Sequence, residues 1–295
     1  MSSVAGLEFD DDQPIALRRF SESKIWKYLR SGHRSVEGWL TPMSARIIAA
    51  LLEDQARICV KGSVGEIGVH HGKLFLVAYL SLRENEHAFA IDVFENQDLN
   101  IDHSGKGDRA QFLGNLHRHA GSTDALTLIA ENSLGILPDR ILEEIGAARF
   151  ISVDGGHTEE CTRNDLLLAE ACLVQGGIIV LDDYFNPHWP DVSVGAAAHA
   201  LSGKATTKPF LITPNKIYFA DSRYHEGYKK AVRAKFGRHY SRSGQMFESS
   251  VDIYALQGLG DLPSTVFQLI RDEVRMRTAP FPRAKLFIKN TLNRR

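Results

Sequence analysis

Val64-Gly65-Glu66-Ile67-Gly68-Val69-His70-His71-Gly72 is a short apolar run that breaks up into glycines. A run of this length bounded by glycine reads as a buried strand, Val64 to Val69, turning sharply into a helix. The same alternation continues outward from it. Lys73 to Arg83 is helical, Ala88 to Phe94 a strand, Asp108 to His119 a helix ended by Gly121, and Leu126 to Ala130 a strand. Leu137 to Ile145 then reads as a helix, Phe150 to Val153 as a strand, Thr158 to Val174 as a helix stopped by Gly176-Gly177, and Ile178 to Leu181 as a strand. Strands separated by helices need right-handed crossovers, so the fold class is α/β: a doubly wound, Rossmann-like parallel sheet covered on both faces. Two further runs, Pro209 to Thr213 and Lys216 to Ala220, are joined by Pro214-Asn215 and predict an antiparallel hairpin at the end of that sheet.

Around this unit the chain divides into three. Residues 1–58 read as an N-terminal helical extension, in which Thr41-Pro42 starts a helix whose Ile47, Ile48, Leu51 and Leu52 form one stripe. Residues 59–222 hold the sheet, and residues 223–295 form a basic C-terminal extension. The last carries 15 Lys/Arg against 6 Asp/Glu, which leaves 20 against 30 for the rest. Such a tail is either a solvated surface or a dock for something acidic, a phosphate-bearing substrate or an anionic membrane face. No nucleic-acid reading motif accompanies the charge. With 43% hydrophobic and 24% charged residues, disorder, collagen and coiled coil are excluded. Cys59, Cys161 and Cys172 have no pairing or metal-ligand spacing and lie beside apolar residues, as buried thiols do. Neither a signal peptide nor an apolar run of membrane-spanning length is visible, so a cytoplasmic protein is expected. Its partners are expected to be a small-molecule acceptor and copies of itself in a homo-oligomer.

In open parallel sheets the ligand lies beyond the carboxyl ends of the strands. The first end is an E-x-G-x-x-x-G turn, not the G-x-G-x-x-G of a dinucleotide site, since His70 stands two after Gly68. Asp92, 24 residues beyond Gly68, suits hydrogen bonding to ribose hydroxyls. Asp154 ends the fourth strand with His157 three residues on, and Asp182-Asp183 end the next. If these strands are neighbours, about 4.8 Å apart, three carboxylates converge with nothing nearby in sequence to neutralise them. All-oxygen ligands with one imidazole favour a hard divalent ion, Mg²⁺ first, then Mn²⁺ or Ca²⁺. Capping of local turns would be the purely structural use of the same acids. His70 and His71, adjacent in sequence, are expected to diverge. The loop Tyr184-Phe185-Asn186-Pro187-His188-Trp189-Pro190 either offers flat rings to a ligand or plugs the sheet edge.

These runs, with the terminal hairpin, resemble the class I S-adenosylmethionine-dependent methyltransferases over about Val60 to Ser222, and within them the metal-dependent sugar O-methyltransferases of the macrocin and mycinamicin type. The resemblance implies that Glu66, Gly68 and Gly72 hold the methionyl part of S-adenosylmethionine, Asp92 the ribose, and Asn132 and Ser133 the adenine. It implies metal ligands at Asp154, Asp182 and Asp183 and a general base at His157. One departure from the family is Lys73-Leu74, where many relatives have a small hydroxyl residue that reaches the methionine carboxylate; here only Lys73 could replace that contact. The expected activity is O-methylation of a sugar or glycosylated small molecule, with Mg²⁺ or Mn²⁺ lowering the pKa of adjacent acceptor hydroxyls and His157, with an ordinary pKa near 6.5, taking the proton at neutral pH. A nicotinamide-dependent oxidoreductase and a non-catalytic Rossmann-like binding module remain as alternatives.

Overall fold

Strand-forming runs separated by amphipathic helices assemble into one sheet in a computed structural model that describes residues 23–255. The strands are β1 (Ser63–Ile67), β2 (Ala88–Ile91), β3 (Leu126–Ile129), β4 (Ala148–Val153), β5 (Leu173–Leu181), β6 (Lys208–Ile212), β7 (Ile217–Ala220), β8 (Tyr240–Met246) and β9 (Ser249–Tyr254). They lie in the order β3-β2-β1-β4-β5-β7-β6-β9-β8. The first five are parallel, and β7 enters antiparallel to β5 and to β6. The chain order reverses between β1 and β4, so the carboxyl ends of those two strands form the crevice where a ligand fits.

Period-two alternation splits the core between the two faces. Val64, Phe150, Ile178 and Val180 face helices α2 (Pro42–Arg57) and α8 (His225–Phe236), while Ile151, Val153, Ile179 and Leu181 face α6 (Glu159–Ala171) and α7 (Pro190–Ala200). Ile47, Ile48 and Leu51 of α2 are wholly buried, each stabilising the fold by about 1.5–3 kcal/mol. The start of α2 is fixed as Thr41-Pro42 predicts: the Thr41 hydroxyl accepts from the Ser44 amide at 3.1 Å. The Ser44 hydroxyl then meets Thr213 Oγ1 at 2.8 Å, tying this helix end to the carboxyl end of β6. That bond sets the α2 start over the crevice.

The remaining helices are α1 (Lys24–Arg30), α3 (Phe75–Tyr79), α4 (Arg109–Ala120) and α5 (Pro138–Glu144). Three expectations need correction. The helix expected over 73–83 is only α3, because residues 72–74 are taken up by the glycine turn. Strand β5 begins at Leu173, with Gly176 in the strand at a φ of +79°, where a Cβ would lie 2.8 Å from the Tyr224 ring. Cys59 is exposed at the end of α2, whereas Cys161 and Cys172 are buried. Beyond residue 222 the chain continues the same sheet: β9 pairs with β6 and β8 with β9. The rest of the basic segment, and residues 1–22, lie outside the described residues. Among the described residues no helix is long and apolar enough to cross a membrane.

Candidate active site

A cavity of about 800 Å³ opens beyond the carboxyl ends of β1, β2, β4 and β5, with Thr41 and Ser44 at the α2 start lining part of it. Its sides include Trp39, Leu99, Ile101 and Phe185, each with 44–61% of its surface exposed, and its floor is acidic.

The glycine turn after β1 shapes one wall. Gly68 has a φ of +81°, and a Cβ there would fall 1.7 Å from the Asp154 carbonyl oxygen. The glycine is required first by the close passage of the β1 and β4 ends, and the open wall follows from it. Asp92 completes the turn. Its Oδ2 accepts from the Val69 and His70 amides and its Oδ1 from the Phe94 amide, all at 2.7 Å. Asp92 lines the cavity, yet three backbone donors already orient it. Glu66 and Gly72 are not lining residues. Gly72 gives room to the Phe112 ring, 2.7 Å from where its Cβ would be. Glu66 is buried beside Ser152, and burial, eased by the nearby Lys216 ammonium, pushes its carboxyl up to about 8. Lys73, the expected carboxylate contact, donates from Nζ to the Gly38 carbonyl at 3.0 Å. The His70 and His71 rings do not diverge but lie 3.9 Å apart, because His70 takes a φ of +51°.

At the adenine end, Asn132 and Ser133 both line the cavity. The Asn132 side chain bridges the Leu99 carbonyl and the Leu134 amide. Behind Ser133, burial pushes the Asp165 carboxyl up to about 6.

The floor brings Asp154, His157 and Asp183 together, with candidate ligand atoms within 4.8 Å of one another. Two carboxylates and an imidazole suit a hard divalent ion such as Mg²⁺ or Mn²⁺. Asp182, expected with Asp154 and Asp183 as a ligand, is not in that trio. Its carboxylate pairs with the buried Lys216 ammonium, so the cluster does have a neutralising partner, brought in by the β6–β7 turn. Burial, with the negative Asp182 beside it, holds Asp154 well above the ordinary carboxylate range. Asp183 sits at a φ of +57°, a costly conformation for a non-glycine residue that is often found at functional sites. Burial would raise its carboxyl, but hydrogen bonds from His157, Asn186 and Asn215 hold it down at about 2.

Asp102 is a site residue that sequence reasoning missed. Its Oδ2 lies 2.7 Å from His157 Nδ1, and the opposite nitrogen, Nε2, lies 3.1 Å from Asp183 Oδ2. Ser104 Oγ approaches Nδ1 at 3.0 Å, and Trp189 stacks on the ring at 4.5 Å between centroids. Burial would lower the imidazole, but the hydrogen bonds to Asp102 and Asp183 outweigh it and carry His157 up to about 10. Asp102 comes from the loop between β2 and α4, where no strand end or motif announces it. The aromatic loop splits its duties: Phe185, His188 and Trp189 line the cavity, while Tyr184 packs against the core.

This cavity at the reversal of a doubly wound sheet is matched by sequence. Residues 66–184 fit the family described as "Methyltransferase domain". Over that segment the chain is similar to methyltransferase domains. All the expected cofactor and metal residues fall inside that segment, and S-adenosylmethionine is the methyl donor of such a domain. Among solved structures, the O-methyltransferase NovP is 17% identical, over 60% of this chain and 80% of its own, with a TM-score of 0.52, which shows the shared fold. CalS11, a TDP-rhamnose 3'-O-methyltransferase of calicheamicin biosynthesis, is 16% identical over 71% of this chain and 88% of its own, at a TM-score of 0.47. TomG from Streptomyces achromogenes, solved with S-adenosylmethionine, is 17% identical over 68% of this chain and 92% of its own, at 0.45. No curated protein sequence matches the chain.

Proposed function

We propose that this protein transfers the methyl group of S-adenosylmethionine to a hydroxyl oxygen of a sugar or glycosylated small molecule, with His157 as general base and a divalent metal ion at Asp154 and Asp183. The catalytic unit is residues 59–222, with the segment after 222 completing its sheet. The observation that carries the reading is the line Asp102–His157–Asp183 beside Asp154 on the cavity floor. The cavity wall supports it as well. Gly68, Asp92, Asn132 and Ser133 line a continuous path for the cofactor, and the Trp39 and Phe185 rings offer apolar faces to an acceptor.

In the reaction the acceptor oxygen attacks the methyl carbon, the carbon–sulfur bond breaks, and its electron pair stays on sulfur, leaving S-adenosylhomocysteine. The acceptor proton goes to His157 Nε2. Asp102 fixes the ring so that Nε2, not Nδ1, faces the cavity floor. A divalent ion bound by Asp154 and Asp183 would supply Lewis acidity to the acceptor hydroxyl. Were Asp183 engaged by such an ion, His157 would lose one of the two carboxylates that keep it protonated and would be free to accept a proton at lower pH.

The test is transfer of labelled methyl from S-adenosylmethionine to a panel of glycosides with vicinal hydroxyls, in Mg²⁺ and in EDTA. Transfer that requires the metal and returns on adding Mg²⁺ or Mn²⁺ is expected. Full turnover in chelator, with metal content checked, would overturn the metal assignment.

A further inference from the structure

The turn between β6 and β7 reaches into the acidic end of the cavity, although it lies outside the segment that fits the methyltransferase family. Two side chains there take hold of the acid pair at the end of β5. Asn215 donates from Nδ2 to Asp182 Oδ1 and to Asp183 Oδ1, each at 2.7 Å. Lys216 is 2% exposed, and its Nζ pairs with Asp182 Oδ2. Asp182 Oδ1 also accepts from the Asp183 amide at 2.9 Å. Both oxygens of Asp182 are therefore engaged by the protein. Asp183 keeps Oδ2 toward His157, and the Asp154 carboxylate faces the same space. An ammonium taken out of water is tolerated only where carboxylates compensate it, so Lys216 belongs to the cluster's charge balance.

We propose that Lys216 is a built-in cation that occupies the Asp182 corner of the carboxylate cluster and confines a divalent ion to Asp154 and Asp183. The assignment of an ion to this floor rests on the function proposed above; the place of Lys216 rests on its own contacts. An ammonium beside the ion repels it and withholds one carboxylate from it. Lys216 thus weakens metal binding and fixes which ligands remain. Asn215 ties together the Oδ1 atoms of the two adjacent acids, which leaves Asp182 Oδ2 to the lysine and Asp183 Oδ2 to the ion.

Mn²⁺ binding to the full-length protein, read by electron paramagnetic resonance of the free ion, tests this without any acceptor. Asp154→Asn and Asp183→Asn should each weaken Mn²⁺ binding by about 10- to 100-fold or more, the range seen when support for a metal site is lost. Lys216→Met should tighten it by about tenfold, because Asp182 is released and a positive charge removed. The paired change Lys216→Met with Asp182→Asn preserves net charge, leaves no uncompensated buried ion, and should bind Mn²⁺ like the wild type. It also keeps the question answerable if Lys216→Met alone does not fold, folding being checked by calorimetric binding of S-adenosylhomocysteine. The proposal fails if the paired variant loses Mn²⁺ as severely as Asp183→Asn, or if a folded Lys216→Met binds it no more tightly. If the wild type binds no Mn²⁺ and Lys216→Met does, metal dependence falls and Lys216 stands as the cation that excludes the ion. If no variant binds, both fall.

Discussion

His157 is a histidine between two acids, and that placement decides how its chemistry must depend on pH. With the imidazole carried up to about 10, the base form appears only as the pH rises. The kcat/KM profile, which reports the free enzyme, should therefore climb through the alkaline range and not level off near neutrality as an ordinary histidine would. Mg²⁺ at Asp183 opposes protonation of the ring, so adding it should move the limb to lower pH. His157→Ala should depress turnover by about 10² to 10⁴, remove the limb, and leave calorimetric binding of S-adenosylmethionine nearly intact. A limb that persists unchanged in His157→Ala would place the base elsewhere. The same shift bears on stability. Since the folded value lies above the ordinary one near 6.5, the contribution is fully present below that pH and is lost as pH rises through about 10. Asp102→Asn keeps a hydrogen-bond partner for Nδ1 but removes a charge, and should bring the ring's titration, followed by NMR, to lower pH.

At the scale of the element, the glycine turn and Asp92 work as one piece. Asp92 accepts on Oδ2 from two amides of the turn and on Oδ1 from the Phe94 amide beyond β2. A side-chain amide in its place has one acceptor oxygen for two directions, so Asp92→Asn should both weaken S-adenosylmethionine binding and lower the melting temperature. Loss of affinity with an unchanged melting temperature would show that the carboxylate serves the ligand alone. Gly68→Ala should prevent folding or cost more than about 4 kcal/mol, the range reserved for severe core defects, because its Cβ would collide with the Asp154 carbonyl. A soluble Gly68→Ala protein with wild-type melting would refute this. These elements were legible in the sequence because each signal is local: the strand runs, the Thr41-Pro42 start, the Asp108 cap and Gly121 stop of α4, the Pro214-Asn215 hairpin. The acids at the strand ends were legible for the same reason. What escaped were partners set by long-range packing. Asp102 meets His157 across 55 positions and Lys216 meets Asp182 across 34, and neither separation leaves a pattern in the chain. The length of β5 was misread because its glycines look like a stop, whereas Gly176 sits in the strand with its carbonyl accepting from Tyr228 and Gln55.

For the whole molecule, the question is where the catalytic unit ends. The hairpin β6–β7 closes the pattern on which the resemblance rests, and the chain after it is conspicuously basic. Yet part of that charge is folded inward. Arg233 forms two 2.5 Å hydrogen bonds with the buried Asp252, and Lys229 reaches Glu226 at 3.0 Å. Tyr228 and Val232 of α8 are wholly buried in the same cluster as Ile47 and Leu51 of α2, each worth about 1.5–3 kcal/mol. Strand β9 covers the edge of β6, whose Phe210 and Leu211 are also fully buried. Removing residues 223–295 would therefore open the α2 face and leave an apolar edge strand unpaired, a template for aggregation. The effect should reach the active site, because α2 carries Thr41 and Ser44 to the cavity and β6 leads into the turn that holds Asn215 and Lys216. A chain ending at Ser222 should express as insoluble material, or melt without a cooperative transition and bind S-adenosylmethionine poorly. A gentler version of the same loss is Val232→Ala, which should lower stability by about 1–3 kcal/mol in urea unfolding while S-adenosylmethionine still binds to the folded fraction. If the chain ending at Ser222 instead unfolds cooperatively with wild-type cofactor affinity, the segment after 222 is an appendage, and the helix–sheet contacts described for α8 and β9 contribute little to holding the site.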